Sequence, residues 1–253
     1  MSKCYIIAEA GVNHNGSDEL ALQLVEAAAK SGADAVKFQT FKTENLVSQE
    51  AKTAEYQKLQ TGEDSQFNML KKLEISEELH IKLIAKCEQL NIEFLSTPFD
   101  IELAKYLLDL GMKRIKIPSG ELTNIPFIEK LADFDVPMIM STGMSSLEEV
   151  KDAVDSIRRV RQGQNFDRPL SEVLTVLHCT SNYPAKYEDI NLNAMKTMAD
   201  EFDIPVGYSD HTLGVEISLA AVALGACIVE KHLTLDRNMI GPDHEASAEP
   251  SEL

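Results

Sequence analysis

The chain has 253 residues, 44% of them hydrophobic, no Trp and a formal net charge of −17. It is long enough to bury a large core, but it has no basic stripe to follow a phosphate backbone, which argues against nucleic acid as a partner. No run reaches 18 apolar residues and Glu9 interrupts the first apolar stretch, so neither a membrane span nor a secretory leader is expected.

Short β-branched runs predict strands at 4–8, 35–39, 93–96, 114–118, 137–141, 173–178, 205–208 and 226–230. After the first, Leu20, Leu24, Ala27 and Ala28 share a helical face, with Ser17 as cap and Gly32 as stop. Residues 43–74 are polar and too long for a plain connector, serving either as a cover over a site or as a peripheral excursion with a helix. Ser76 opens a helix carrying Leu79, Leu83, Ile84, Cys87 and Leu90, on which His80 is expected to face solvent. Asp100 opens a helix that stops at Gly111. Ser145 and Glu148 suggest a capping box for a helix over 150–160, and further helices are expected at 192–202 and 215–224.

Strict alternation of strand and helix argues for a parallel sheet, and eight strands in about 250 residues point to a (β/α)8 TIM barrel in one domain, 1–253. Only seven long helices are visible. The segment Glu249-Pro250-Ser251-Glu252-Leu253 reads as the start of helix eight, so the last helix is expected to be lacking or truncated. Four scattered Cys, without zinc or C-x-x-C spacing, fit a reducing cytoplasm.

Nearly every strand finishes in polar side chains, as a barrel with chemistry at its C-terminal rim requires. Two neighbouring strands, seven and eight, run into His211 and His232. Two neutral imidazoles with open positions suit a divalent ion such as Mn²⁺, Zn²⁺ or Co²⁺, the alternative being two structural histidines. Glu230 or Asp210 is expected to orient them. Of the other histidines, His14 is read as structuring its loop and His178 as capping a strand end.

Alternation in Val36-Lys37-Phe38-Gln39 and Ile115-Lys116-Ile117 turns Lys37 and Lys116 into the barrel. An ammonium there is costly without an anion, so a phosphate or carboxylate ligand is expected, the alternative being an internal salt bridge to Glu9 or Glu121. Hydroxyls follow successive strands at Ser96-Thr97, Ser119, Ser141-Thr142 and Ser209, a pattern that fits an oxyanion cage better than isolated caps. Glu9 at the end of strand one is a candidate general acid/base, and Asp243 in the loop after strand eight lies within reach of the rim.

Taken in order, Glu9-Ala10-Gly11-Val12-Asn13-His14-Asn15-Gly16, Val36-Lys37-Phe38-Gln39-Thr40, Ser96-Thr97-Pro98-Phe99, Lys116-Ile117-Pro118-Ser119-Gly120-Glu121, Ser141-Thr142-Gly143-Met144, His178-Cys179-Thr180-Ser181, Tyr183-Pro184, Gly207-Tyr208-Ser209-Asp210-His211, Glu230-Lys231-His232 and Gly241-Pro242-Asp243-His244 resemble the sialic acid synthase family, the N-acetylneuraminate and related nonulosonate synthases. The resemblance covers essentially the whole chain. It implies a cytoplasmic TIM-barrel transferase that condenses phosphoenolpyruvate with an N-acetylmannosamine-type sugar, giving a nine-carbon 2-keto acid and phosphate. It implies that His211 and His232 hold a metal, Mn²⁺ first, with Mg²⁺ or Co²⁺ as alternatives. It implies that Lys37, Thr97, Lys116, Ser119, Ser141 and Ser209 bind phosphoenolpyruvate, and that Glu9, Gln39, Tyr183 and Asp243 face the sugar or the attacking water.

Family members carry a C-terminal antifreeze-like domain that lends an arginine to the neighbouring subunit. No such domain is expected in this chain, although the full-length protein is expected to be a homodimer. The competing readings are a legionaminic acid synthase, whose acceptor is di-N-acetylated and 6-deoxy, a Schiff-base aldolase using Lys37 or Lys116, and a catalytically silent phosphoenolpyruvate-binding barrel.

Overall fold

The structure, a computed structural model, describes residues 3–253. Eight parallel strands run Tyr5–Gly11 (β1), Ala35–Thr40 (β2), Glu93–Pro98 (β3), Ile115–Ile117 (β4), Met138–Ser141 (β5), Leu174–Cys179 (β6), Val206–Asp210 (β7) and Ile228–His232 (β8). Their order in the sheet is β3-β2-β1-β8-β7-β6-β5-β4, and the edge strands β3 and β4 lie against one another, so the sheet curls into a nearly closed barrel. The TIM-barrel expectation holds.

Seven helices follow the first seven strands: Asp18–Lys30 (α1), Glu77–Leu90 (α2), Ile101–Asp109 (α3), Ile125–Ala132 (α4), Leu147–Gly163 (α5), Asn193–Phe202 (α6) and Glu216–Ala223 (α7). Ser17, Ser76 and Asp100 cap α1, α2 and α3 with their side chains, as expected. The capping box of α5 lies one residue later than its sequence suggested. Ser146 accepts from the Glu149 backbone N–H while the Glu149 carboxylate accepts from Ser146 N, so the box uses the second serine of Ser145-Ser146. Beyond β8 the chain forms turns and one parallel bridge, Leu233 to Ala248. Among the described residues no helix is long and apolar enough to cross a membrane.

The main core lies between strands and helices, where Val36, Phe38, Ile115 and Ile117 are sealed on the outer faces of β2 and β4. The alternation that sends these residues outward sends Lys37 and Lys116 inward. Register then stacks the ends of neighbouring strands. Glu9 stands opposite Lys37 of β2 on one side and His232 of β8 on the other.

The exposure expected of His80 needs correction. His80 is 1% exposed, not solvent-facing. It lies three and seven residues before Leu83 and Cys87, which puts it on the buried face of α2, where its ring bonds Thr40 Oγ1 at 2.9 Å and Ser76 O at 3.0 Å. Residues 43–74 form short helices at Thr43–Leu46, Glu55–Thr61 and Gln66–Lys71. Met69 and Leu73 join Val12 and Phe41 in a second apolar cluster above the barrel mouth, so the excursion is also a wall of the site.

Candidate active site

A cavity of about 600 Å³ opens at the C-terminal end of the barrel, and the twelve residues to which the family resemblance gives roles all line it. Its floor is a chain of alternating charges. Lys37 Nζ lies 2.7 Å from Glu9 Oε2 and 3.6 Å from Glu230 Oε2, and Lys116 Nζ lies 3.5 Å from Glu230 Oε1. All four side chains are buried. Burial alone would lower the Lys37 pKa, but the Glu230 and Glu9 carboxylates together hold it above its ordinary value. Burial pushes Glu9 up, and the Glu230 charge adds to this against the pull of Lys37. Burial would also raise Glu230, yet Lys116 and Lys37 flank it and Ser209 donates to it, which leaves it lowered. Lys116 is lowered by burial despite Glu230.

Both readings of the lysines are therefore realised in part: they point into the barrel, and they are paired internally. Their carboxylate partners are Glu9 and Glu230. Glu121 sits in the turn after β4 and accepts a bond from Asn124 instead. Alternation puts Glu230 on the same strand face as His232, but its reach across the barrel to two lysines carries no sequence signal.

Hydroxyls ring this floor. Lys37 donates to Thr97 Oγ1 at 3.1 Å and Lys116 to Ser141 Oγ at 2.6 Å, while Ser209 Oγ donates to Glu230 Oε1 at 2.9 Å. Gly143 N donates to Ser119 Oγ at 2.9 Å, and Cys179 Sγ lies 3.2 Å from that oxygen. A Cβ on Gly143 would come within 2.3 Å of Ser181 Oγ and 2.9 Å of Ser119 Oγ, so only glycine lets this loop close on the cage. Ser96 and Thr142 turn away: Ser96 bonds Thr40 and Thr142 donates to Leu177 O. The lysines and hydroxyls together form a cradle for a small polyanion.

His211 and His232 converge beside this cradle with ring centroids 5.5 Å apart, and the Tyr183 ring lies against His211, tilted by 31° with centroids 4.1 Å apart. Burial lowers both histidines below their ordinary pKa, which keeps the imidazoles neutral. His211 Nδ1 lies 2.6 Å from Thr180 O, the backbone contact that fixes a tautomer and leaves Nε2 with its lone pair. Nδ1 of His232 is buried with no hydrogen-bond partner. Among the described residues no three His, Cys, Asp or Glu side chains gather into a complete cage. The neutral pair with an orphaned ring nitrogen fits a divalent ion that takes its remaining ligands from water or substrate.

Of the two carboxylates expected to orient this pair, Glu230 lines the same cavity. Asp210 points away through the barrel wall and touches neither imidazole, because alternation places it on the outer face of β7. His14 structures its loop as expected, accepting from Gly16 N at 3.1 Å.

The remaining wall differs in character. Val12, Met69, Leu70, Leu73 and Phe99 make one apolar side, and Gln39, Gln57, Gln66 and Asp243 also line the cavity. Gln39 Nε2 reaches Glu9 Oε1 at 3.5 Å. Asp243 is raised to about 6 by burial. The excursion is tied to the loop after β8 where Gln60 donates to Glu245 at 2.6 Å.

The sequence profile of the NeuB family matches residues 24–253. The N,N'-diacetyllegionaminic acid synthase of Legionella pneumophila is 54% identical over 251 residues, spanning 99% of this chain and 69% of the relative. That of Campylobacter jejuni is 52% identical, spanning 100% and 74%. Human N-acetylneuraminate-9-phosphate synthase is 36% identical over 99% of this chain and 67% of its own length. Among solved structures, the N-acetylneuraminic acid synthetase of Leptospira borgpetersenii, crystallised with citrate, is similar with a TM-score of 0.85 at 36% identity, covering 99% of this chain and 80% of that one.

Proposed function

Because the chain belongs to the NeuB family of sialic acid synthase-type condensing enzymes, we propose that it joins phosphoenolpyruvate to a di-N-acetylated 6-deoxy amino sugar, forming a nine-carbon 2-keto acid of the legionaminic type and releasing phosphate. The observation that carries the reading is the buried floor, where two ammonium groups and a ring of hydroxyls converge beside paired neutral imidazoles.

The order of acceptors expected from sequence is reversed. The N-acetylmannosamine-type sugar comes first there, but two relatives above half identity, at 54% and 52%, are diacetyllegionaminic acid synthases. The apolar wall of Met69, Leu70, Leu73 and Phe99 supports the change, since it favours acetyl methyls and a deoxy C6 over a hydroxyl.

In this reading Lys37, Lys116, Thr97, Ser119, Ser141 and Ser209 hold the phosphate and carboxylate of phosphoenolpyruvate. The incoming anion takes over part of the pairing that Glu9 and Glu230 supply beforehand. Gln39, Tyr183 and Asp243 hold the acceptor with its aldehyde toward C3 of phosphoenolpyruvate. The C=C π pair of phosphoenolpyruvate forms the bond between those carbons while the aldehyde π pair moves onto its oxygen, water adds at C2, and the C–O bond to phosphate breaks as the C2 ketone forms, the two protons of the water ending on the new hydroxyl and on the departing phosphate. Glu9, whose pKa is raised by burial, takes the proton of that water. His211 and His232 would hold a divalent ion, Mn²⁺ in this reading, which supplies Lewis-acid polarisation of the acceptor's carbonyl when bound. A homodimeric, cytoplasmic enzyme belongs to the same reading, and all four cysteines are free thiols.

The test is phosphate release from phosphoenolpyruvate with Mn²⁺ and each acceptor in turn. We expect kcat/KM at least about tenfold higher for the di-N-acetylated 6-deoxy sugar than for N-acetylmannosamine. The reverse preference would overturn the acceptor assignment, and silence with every six-carbon acceptor would overturn the reaction.

A further inference from the structure

We propose that Asp210 and Lys231 form a positioning pair that sets the separation of the two imidazoles from behind the barrel wall. The inference rests on the reading of His211 and His232 as metal ligands. The two residues are register partners on β7 and β8, each one position before a histidine. Alternation turns them outward into the layer between the sheet and α7, where their side chains are 0% and 2% exposed and meet at 3.1 Å.

The pair does more than neutralise itself. Asp210 Oδ1 accepts from the backbone N–H and the hydroxyl of Thr212 at 2.9 and 2.8 Å, and Oδ2 accepts from Ser218 Oγ at 2.6 Å. Lys231 Nζ donates to Thr212 O at 2.8 Å as well as to Asp210. One ion pair thus grips three atoms of the residue after His211, anchors them to α7, and ties that turn to the strand that ends in His232. The same turn receives the segment after Tyr183. Ala185 N donates to His211 O at 2.8 Å, and the ring of Tyr183 rests on His211. The position of both imidazoles and of the tyrosine against them therefore runs through this buried pair.

Stability alone does not account for it. A buried ion pair seldom contributes more than apolar side chains of similar volume, and the surrounding layer is apolar core. What an apolar pair lacks is direction: it fills the space without fixing how far β7 slides along β8 or where the turn after His211 points. The pair is therefore a device for geometry at the imidazoles, at the expense of burying two charges.

Mn²⁺ affinity of the metal-free protein, phosphoenolpyruvate affinity and the thermal midpoint, measured together, test this. Lys231→Met and Asp210→Asn should weaken Mn²⁺ about 10- to 100-fold, the range for groups that orient metal ligands. Phosphoenolpyruvate affinity should stay within about twofold. Thr212→Val, which removes one hydroxyl and keeps the shape, should weaken Mn²⁺ by a smaller factor and guards against a charge variant that does not fold. The double variant Asp210→Leu/Lys231→Met should recover the thermal midpoint without recovering Mn²⁺ affinity. A folded double variant that binds Mn²⁺ like the parent would overturn the positioning role. His211→Ala separates the two layers of the argument: unaltered Mn²⁺ affinity there would overturn the metal reading, and the pair's role with it.

Discussion

Glu9 and Lys37 stand opposite one another in the β1–β2 ladder, and their charges meet at 2.7 Å inside the barrel. Lys37 also faces Glu230, so its removal would leave Glu9 without its ion-pair partner and Glu230 with Lys116 alone. Lys37→Met should lower kcat/KM for phosphoenolpyruvate by at least about 100-fold. It should also cost about 3–5 kcal/mol of stability, as expected when one partner of a buried pair is lost. Calorimetry with phosphoenolpyruvate alone and a thermal melt check both. Undiminished affinity would remove the lysine from the anion site.

Gly143 should tolerate no side chain. The Cβ of Gly143→Ala would press on Ser181, Cys179 and Ser119 at 2.3–2.9 Å, costing about 1–3 kcal/mol by overpacking and prising Ser119 from its backbone donor. Phosphoenolpyruvate affinity should fall while Mn²⁺ affinity holds.

Asp243 lines the cavity with its carboxyl raised to about 6 by burial, and in the proposed function it holds the acceptor. Asp243→Asn should raise KM for the acceptor about tenfold or more and leave phosphoenolpyruvate affinity unchanged. Equal losses for both substrates would contradict the division of the cavity.

Three buried histidines away from the lysines give the fold an acid limit. Burial lowers His14, His80 and His244 to about 4 from 6.5. The unfolded chain therefore takes up protons first, so their contribution is full above pH 6.5 and is lost as pH falls toward 4. Each shift corresponds to on the order of 3 kcal/mol at most. The thermal midpoint should fall between pH 7 and pH 4.5, and less steeply in His80→Gln, whose amide can still reach Thr40 and Ser76. Identical slopes would show that His80 does not titrate on unfolding.

Much of this site was legible in the sequence because a strand's two-residue period states which side chains share a face. That period turns Lys37 and Lys116 inward and puts Glu230 on the face of His232, while His211 and His232 pair because they end neighbouring strands. It does not say how far a side chain reaches across a barrel, so Glu121, a neighbour in sequence, was weighed where Glu230 of the last strand does the pairing. Asp210 was read with the histidines through adjacency although alternation sets it on the opposite face. His80 was misjudged from polarity, although its spacing to Leu83 and Cys87 already placed it on the buried side. The wall built by residues 43–74 depends on Met69 and Leu73 packing onto Val12 and Phe41, contacts between distant segments that no local pattern encodes.

The central claim is that one mouth of the barrel holds both a metal and phosphoenolpyruvate. Crystals soaked with Mn²⁺ and phosphoenolpyruvate test it most directly, through anomalous scattering from the metal. The account predicts a single Mn²⁺ peak bound by His211 and His232, with the phosphate of phosphoenolpyruvate within reach of Lys37 or Lys116. Metal elsewhere, or phosphoenolpyruvate density away from both lysines, would contradict it.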